Sequence, residues 1–213
     1  MSSKTPPRRP SVAVFDFGGV LIDWNPRHLY RSLIPDAAEM EDFLAQVTTR
    51  AWHEPQDHGG DPAAATRALQ ALHPGKEELI AAFYGRFDEM CAHAFAPMAD
   101  LVERLHEGGT SLYLLSNAPN LLDPWLRGPA QTRHPFLGRF QNYVVSGLVG
   151  VSKPDAAIYQ LVCRTGGFRP EEAVFVDDVL ANVEGARAIG MSAVHHRSAD
   201  GTIAELRTLG LPA

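Results

Sequence analysis

An α/β fold built on a parallel sheet, with a helical unit inserted between its first two strands, is the architecture this sequence predicts. Three observations lead to it. Short apolar runs each end on a polar or turn-forming residue, helical patterns separate those runs, and one long stretch has helical spacing throughout without a convincing strand. Strands alternating with helices form a parallel sheet covered on both faces.

Taken in order, positions 1–10 contain Lys4, Arg8 and Arg9 but no apolar run after them, so the central element of a secretion signal is missing and a disordered leader is expected. Residues 11–16 form an apolar run ending in a carboxylate, followed by Phe17-Gly18-Gly19, as for a buried strand entering a tight loop. Residues 25–95 follow, with helical spacing over 37–47, 62–72 and 76–93. A crossover in such a fold needs only one helix, so this much extra sequence reads as a helical cap, with hinges at 23–26 and 94–97. The core is then assigned to 11–24 and 96–213, with further strands at 111–116, 173–177 and 192–195 and a weaker one at 142–146. Helices are expected over 97–107, 156–164, 180–189 and 202–209.

Composition narrows the function. A chain of 213 residues can bury a sizeable core, and its net charge of -6 disfavours nucleic acid, which calls for a concentrated basic surface. Cys91 and Cys163 lie far apart in helical segments, without the paired spacing of zinc or redox sites, and read as packed thiols. No apolar stretch is long enough to cross a bilayer, so a soluble, cytoplasmic protein with no membrane partner is expected. Monomer and homodimer both stay open.

In an open parallel sheet, side chains at the carboxyl ends of strands converge on one crevice. Here those ends present Asp16, Ser116 with Asn117, and Asp177 with Asp178, while Lys153 precedes the helix that begins near Asp155. Carboxylates brought that close repel unless a cation lies between them, and a hard divalent ion, magnesium, is the simplest occupant. A phosphate monoester is the substrate such a site suits. Asp16 would attack as the nucleophile, Ser116 and the Asn117 amide would hold a phosphate oxygen, and Lys153 would contact both that phosphate and Asp16.

These motifs resemble the haloacid dehalogenase-like hydrolase superfamily over nearly the whole chain. Residues 15–21 (FDFGGVL) look like its nucleophile loop, 114–117 (LLSN) its second motif, 152–154 (SKP) its third and 175–182 (FVDDVLAN) its fourth. The resemblance implies a Rossmann-like core with a helical cap after the first strand, and a small phosphorylated metabolite as substrate. In detail it is closest to sugar-phosphate phosphatases and to the phosphatase domain of soluble epoxide hydrolases. It also implies that Asp16, the Gly18 carbonyl and Asp178 ligate magnesium, with Asp177 beside them and Asn182 helping to orient Lys153.

One departure matters. Most phosphatases of the family carry a second aspartate, a proton donor, two residues after the nucleophile; here Gly18 occupies that place. A sugar 1-phosphate, whose leaving group is less demanding, would suit the gap, and Asp23 or His53 would substitute for the donor. Two rival readings remain: a metal-independent 2-haloacid dehalogenase, and a catalytically weak binding or regulatory relative. Elsewhere, His53 and His58 flank Glu54 and Asp57 in what reads as a Gly/Pro-containing turn, Trp52 and Phe83 read as cap core, and Trp24 is placed near a pocket entrance.

Overall fold

The structure, a computed structural model, describes residues 9–213; the expected leader lies almost entirely outside them. Among the described residues there are seven strands: β1 (Val12–Phe15), β2 (Ile22–Asp23), β3 (His93–Ala94), β4 (Ser111–Ser116), β5 (Asn142–Val145), β6 (Ala173–Asp177) and β7 (Ser192–His195). Five of them form one parallel sheet in the order β5-β4-β1-β6-β7. The central strand β1 is buried along its whole length, as expected for a strand covered on both faces.

Alternate residues of each strand feed opposite faces, the period-two rule of a pleated strand. Val12 and Val14 join Tyr113, Leu115 and Phe175 on one face, covered by Ile158, Tyr159 and Val162 of the helix Ala156–Gly166. Ala13 and Phe15 join Leu112, Leu114, Val174 and Val176 on the other, under Met98, Leu101, Val102 and Leu105 of the helix Ala96–Glu107. The parallel pairing places the carboxyl ends of these five strands at the same edge of the sheet.

The stretch between β2 and β3 contains six helices: Pro26–Leu33, Ala37–Gln46, Arg50–Asp57, Pro62–Leu72, Glu77–Gly85 and Phe87–Met90. Their starts are written locally. Asn25, Asp36, Thr49 and Asp61 each accept a hydrogen bond from a backbone N–H of the first turn, and Pro26 and Pro62 sit where a missing N–H costs nothing.

Three details differ from the sequence reading. The helix expected over 76–93 breaks at Arg86, next to the poor helix former Gly85, and the turn lets Phe87, Met90 and Cys91 reach the interior. His93–Ala94 then pairs antiparallel with Ile22–Asp23, so a strand lies in a segment expected to hold none. The supposed turn around His53 is a helix capped by Thr49, and Pro55 late in it does not prevent its first turn from forming. The two-stranded ribbon joins the two chain crossings into the insertion. Among the described residues, no helix is long and apolar enough to cross a membrane, and Cys91 and Cys163 are free, buried thiols.

Candidate active site

Because β1 lies between β4 and β6, the residues at their carboxyl ends are neighbours. Asp16 follows β1 and its N–H donates to the Val176 carbonyl at 2.9 Å, which carries the pairing past the strand end. Its Oδ1 accepts from the Phe17 N–H at 2.7 Å. The Lys153 ammonium, brought in by the turn before the helix Ala156–Gly166, lies 2.8 Å from Asp16 Oδ1 and 2.7 Å from Asp177 Oδ2. Asn117 clamps the Lys153 main chain from both sides: its Nδ2 donates to the Lys153 carbonyl and its Oδ1 accepts from the Lys153 N–H, each at 2.9 Å.

Asp177 is held as firmly. The Val179 N–H donates to its Oδ1 at 2.7 Å, and Asn182 Nδ2 reaches both oxygens at 3.1 Å. Asn182 therefore bears on Lys153 through Asp177 rather than by touching the ammonium. Asp178, next in sequence, is exposed and completes a trio whose oxygens lie within 4.8 Å of one another.

Three carboxylates facing one ammonium leave an excess of negative charge. Burial pushes the Asp16 carboxyl up to about 7; Lys153 pulls against that shift and Asp177 adds to it. Burial and Asp177 raise Asp178 as well. Burial alone would depress Lys153, but Asp16 and Asp177 outweigh it and hold the ammonium above the ordinary lysine value. A divalent cation relieves this strain, and an all-oxygen trio open to solvent on one side suits a hard ion that keeps some of its waters. The loop is shaped to match. Gly19 has φ +75°, and a Cβ there would lie 2.5 Å from Asp178 Oδ2, so only glycine lets the main chain approach that carboxylate. Gly18 is under no such constraint: its Cβ would meet only the Trp24 Cβ, at 3.6 Å.

A cavity of about 810 Å³ rises from this floor. Ser116, Asn117, Gly18 and the charged groups line its base; Trp24, Leu44, His53, Asp57, Phe83 and Phe87 form the wall contributed by the insertion and its entry strand. Two contacts fasten that wall to the core. Ser146 Oγ donates to the Asp57 carbonyl, and Ser152 Oγ meets His58 Nδ1 at 2.6 Å, one residue before Lys153. Trp24 and His53 stack at 5.4 Å between ring centroids, and the Tyr84 hydroxyl lies 2.9 Å from His53 Nδ1.

The structure thus brings Asp16, Gly18, Ser116, Asn117, Lys153, Asp177 and Asp178 together, with Asn182 behind Asp177. Asp23 is not among the residues lining the cavity; its Oδ2 pairs with His28 Nε2 at 2.8 Å. The sequence reading missed Asp57, Phe87 and Tyr84 at this site and gave Phe83 to the core alone. Asp57 follows His53 at helical i,i+4 spacing, a signal concealed by Pro55 and Gly59-Gly60, which suggested a turn.

A family model described as haloacid dehalogenase-like hydrolase matches residues 10–190. The chain is 31% identical over 200 residues to the sesquiterpene phosphatase astK of Aspergillus oryzae, spanning 93% of this chain and 95% of that protein. It is 35% identical over 112 residues to bifunctional epoxide hydrolase 2 of Sus scrofa, 52% of this chain and 20% of that one. Its fold is shared with a HAD family enzyme from Bacteroides thetaiotaomicron solved with magnesium and inorganic phosphate, at TM-score 0.63 and 22% identity over 87% of this chain and 93% of the other.

Proposed function

From the premise that this chain belongs to the haloacid dehalogenase-like hydrolase family, we propose that it is a magnesium-dependent phosphatase acting on a small phosphate monoester, with Asp16 as covalent nucleophile. The observation that carries this reading is the buried Lys153 ammonium, 2.8 Å from Asp16 and 2.7 Å from Asp177, beside the third carboxylate of Asp178.

A phosphate monoester resists a carboxylate because its own oxygens are negative, so charge must be offset where the nucleophile attacks. Magnesium held by Asp16, Asp178 and the Gly18 carbonyl would supply part of that compensation. Asp177 already accepts from Lys153, Asn182 and the Val179 N–H, so its part is to hold Lys153 and add negative charge beside the residues that would hold the ion. Lys153, the Ser116 hydroxyl and the Asn117 amide bind phosphoryl oxygens. Asp16 attacks phosphorus, the bond to the leaving oxygen breaks and an aspartyl phosphate forms; water then releases phosphate and returns the carboxylate. The insertion acts as a cap that shuts bulk water out of the cavity.

The wall of Trp24, Leu44, Phe83 and Phe87 and the likeness to a sesquiterpene phosphatase support an ester with an apolar body ahead of a sugar phosphate. A 2-haloacid is a poorer match. Halide displacement needs no cation, and three carboxylates at the floor repel the acid's own charge. The test is phosphate release from a panel of prenyl, sugar and amino-acid phosphates, with magnesium or with a chelator, by wild type and Asp16→Asn. Turnover that needs the ion and disappears in the variant is expected. Undiminished hydrolysis by Asp16→Asn removes the nucleophile from the scheme, and turnover indifferent to the chelator removes the metal.

A further inference from the structure

When the leaving oxygen is strongly basic, an aspartyl phosphate forms faster if that oxygen gains a proton, and the floor of the cavity offers no carboxyl that is not already assigned to the nucleophile, the lysine or the ion. Lys153 is committed to two carboxylates and Gly18 has no side chain. The opposite wall has one. We propose that Asp57 is the general acid and base of this site, an inference that rests on the reading of Asp16 as the nucleophile.

Asp57 lines the same cavity as Asp16, Gly18 and Asp178. Its Oδ1 is buried and accepts no hydrogen bond; the nearest partner, His53 Nε2, is 3.5 Å away, outside hydrogen-bond range. A buried carboxyl oxygen left unpaired in a ligand cavity is costly for stability alone and makes sense where a ligand completes it. Trp24 Nε1, on the same wall, is likewise buried and unpaired.

Position and fastening agree with that role. A Cβ at position 18 would lie 3.6 Å from the Trp24 Cβ, an ordinary contact, and the Trp24 indole stacks on His53, one helical turn from Asp57. The Trp24–His53 stack therefore joins the neighbourhood of position 18 to the helix that carries Asp57, and leaves room beside Gly18. The Asp57 carbonyl accepts from Ser146 Oγ, which in turn accepts from the Ala118 N–H at 3.0 Å, one residue beyond Asn117. With His58 tied to Ser152, the end of this helix is held at two points on the catalytic floor. Burial, with Glu54 adding and Arg50 opposing, pushes the Asp57 carboxyl up to about 7, so it can both hold and release a proton near neutrality. Burial and Arg50 push His53 down to about 4, which leaves the imidazole neutral there.

As Asp16 Oδ bonds to phosphorus, the ester P–O bond breaks and the Asp57 proton passes to the leaving oxygen. In the second half, the Asp57 carboxylate takes a proton from the attacking water, the acyl phosphate P–O bond breaks, and phosphate departs. Asp16 is then ionised and Asp57 protonated, as at the start.

The test compares phenyl phosphate with p-nitrophenyl phosphate, nearly alike in shape, the second leaving without help from an acid. Single-turnover phenol or nitrophenol release is measured with magnesium for wild type, Asp57→Asn and the double variant Asp57→Asn/Gly18→Asp. Thermal melts check that each is folded. Asp57→Asn is expected to lose roughly a hundred-fold or more on phenyl phosphate and less than about tenfold on p-nitrophenyl phosphate. Gly18→Asp, which has room, should restore much of the loss. A second readout needs no metal: infrared spectra of the ion-free protein taken across a pH titration should contain a protonated-carboxyl band that persists above the ordinary aspartate range and that Asp57→Asn lacks. Equal losses on both esters, no loss, or absence of that band overturns the assignment while leaving an active, Asp16-dependent enzyme. Failure of wild type on both esters, or survival of activity in Asp16→Asn, overturns the underlying reading as well.

Discussion

Replacing Asp57 by asparagine should change how the protein's stability depends on pH, in a direction opposite to the usual one for an acidic residue. The carboxyl ionises at 3.8 when unhindered and at about 7 in the fold, chiefly because burial penalises its charge. Below the lower value it is protonated in both folded and unfolded chains and contributes no difference. Between the two, the unfolded chain has released the proton while the folded protein retains it. Each pH unit gained there therefore costs the folded state about 1.4 kcal/mol, and above the upper value the loss is constant. Across the whole interval this amounts to roughly 4 kcal/mol. The side chain is 19% exposed, so solvent screening reduces the figure, and about 2 kcal/mol is a reasonable lower expectation. Asparagine preserves the shape and cannot ionise. Urea unfolding of wild type and Asp57→Asn in chelator, at closely spaced pH values from acid to slightly alkaline, isolates the effect, since Asp16 and His53 are present in both proteins. The variant should match wild type at the acid end and exceed it progressively toward neutrality. A wild-type-minus-variant difference that stays flat with pH would show that the buried carboxyl is ionised like any surface aspartate.

Three further outcomes follow from the floor of the cavity. Lys153→Met leaves Asp16 and Asp177 facing each other without a counter-charge, so the metal-free protein should lose about 3–5 kcal/mol in urea unfolding; an unchanged midpoint would mean the two carboxylates do not repel. Gly19→Ala forces a side chain into a left-handed turn, at about 1–2 kcal/mol, and onto the Asp178 carboxylate, so magnesium affinity measured calorimetrically should fall about 10–100-fold. Gly18→Ala, with only an ordinary contact to Trp24, should bind the ion within a few-fold of wild type, and equal effects at the two glycines would contradict the loop geometry.

The sheet was legible because its signals are local. Each strand is a short apolar run closed by a polar residue, and buried strands in a parallel sheet have that composition wherever they occur. The carboxyl-end rule assigns Asp16, Ser116, Asp177 and Asp178 to one edge of the sheet from sequence alone. Helix starts at Asp36 and Asp61 were equally readable, since the cap and its N–H partner lie within three residues. The failures share the opposite character. The ribbon pairing Ile22–Asp23 with His93–Ala94 joins chain crossings some seventy residues apart, and neither two-residue strand carries a pattern of its own.

The division at the candidate site has the same cause. From the order of residues alone came the family, the candidate nucleophile Asp16, Lys153, the paired acids and the gap at Gly18, all of them written in contiguous motifs. Only the folded chain decided that Asn182 bonds to Asp177, that Asp23 turns away to His28, and that Asp57 lines the cavity. Those outcomes depend on which helix of the insertion lands on the core, through contacts such as Ser146 to Asp57 and Ser152 to His58, between residues about ninety positions apart. A side chain's burial, and with it its proton affinity, is set by neighbours brought in from such distances, and no local pattern records them.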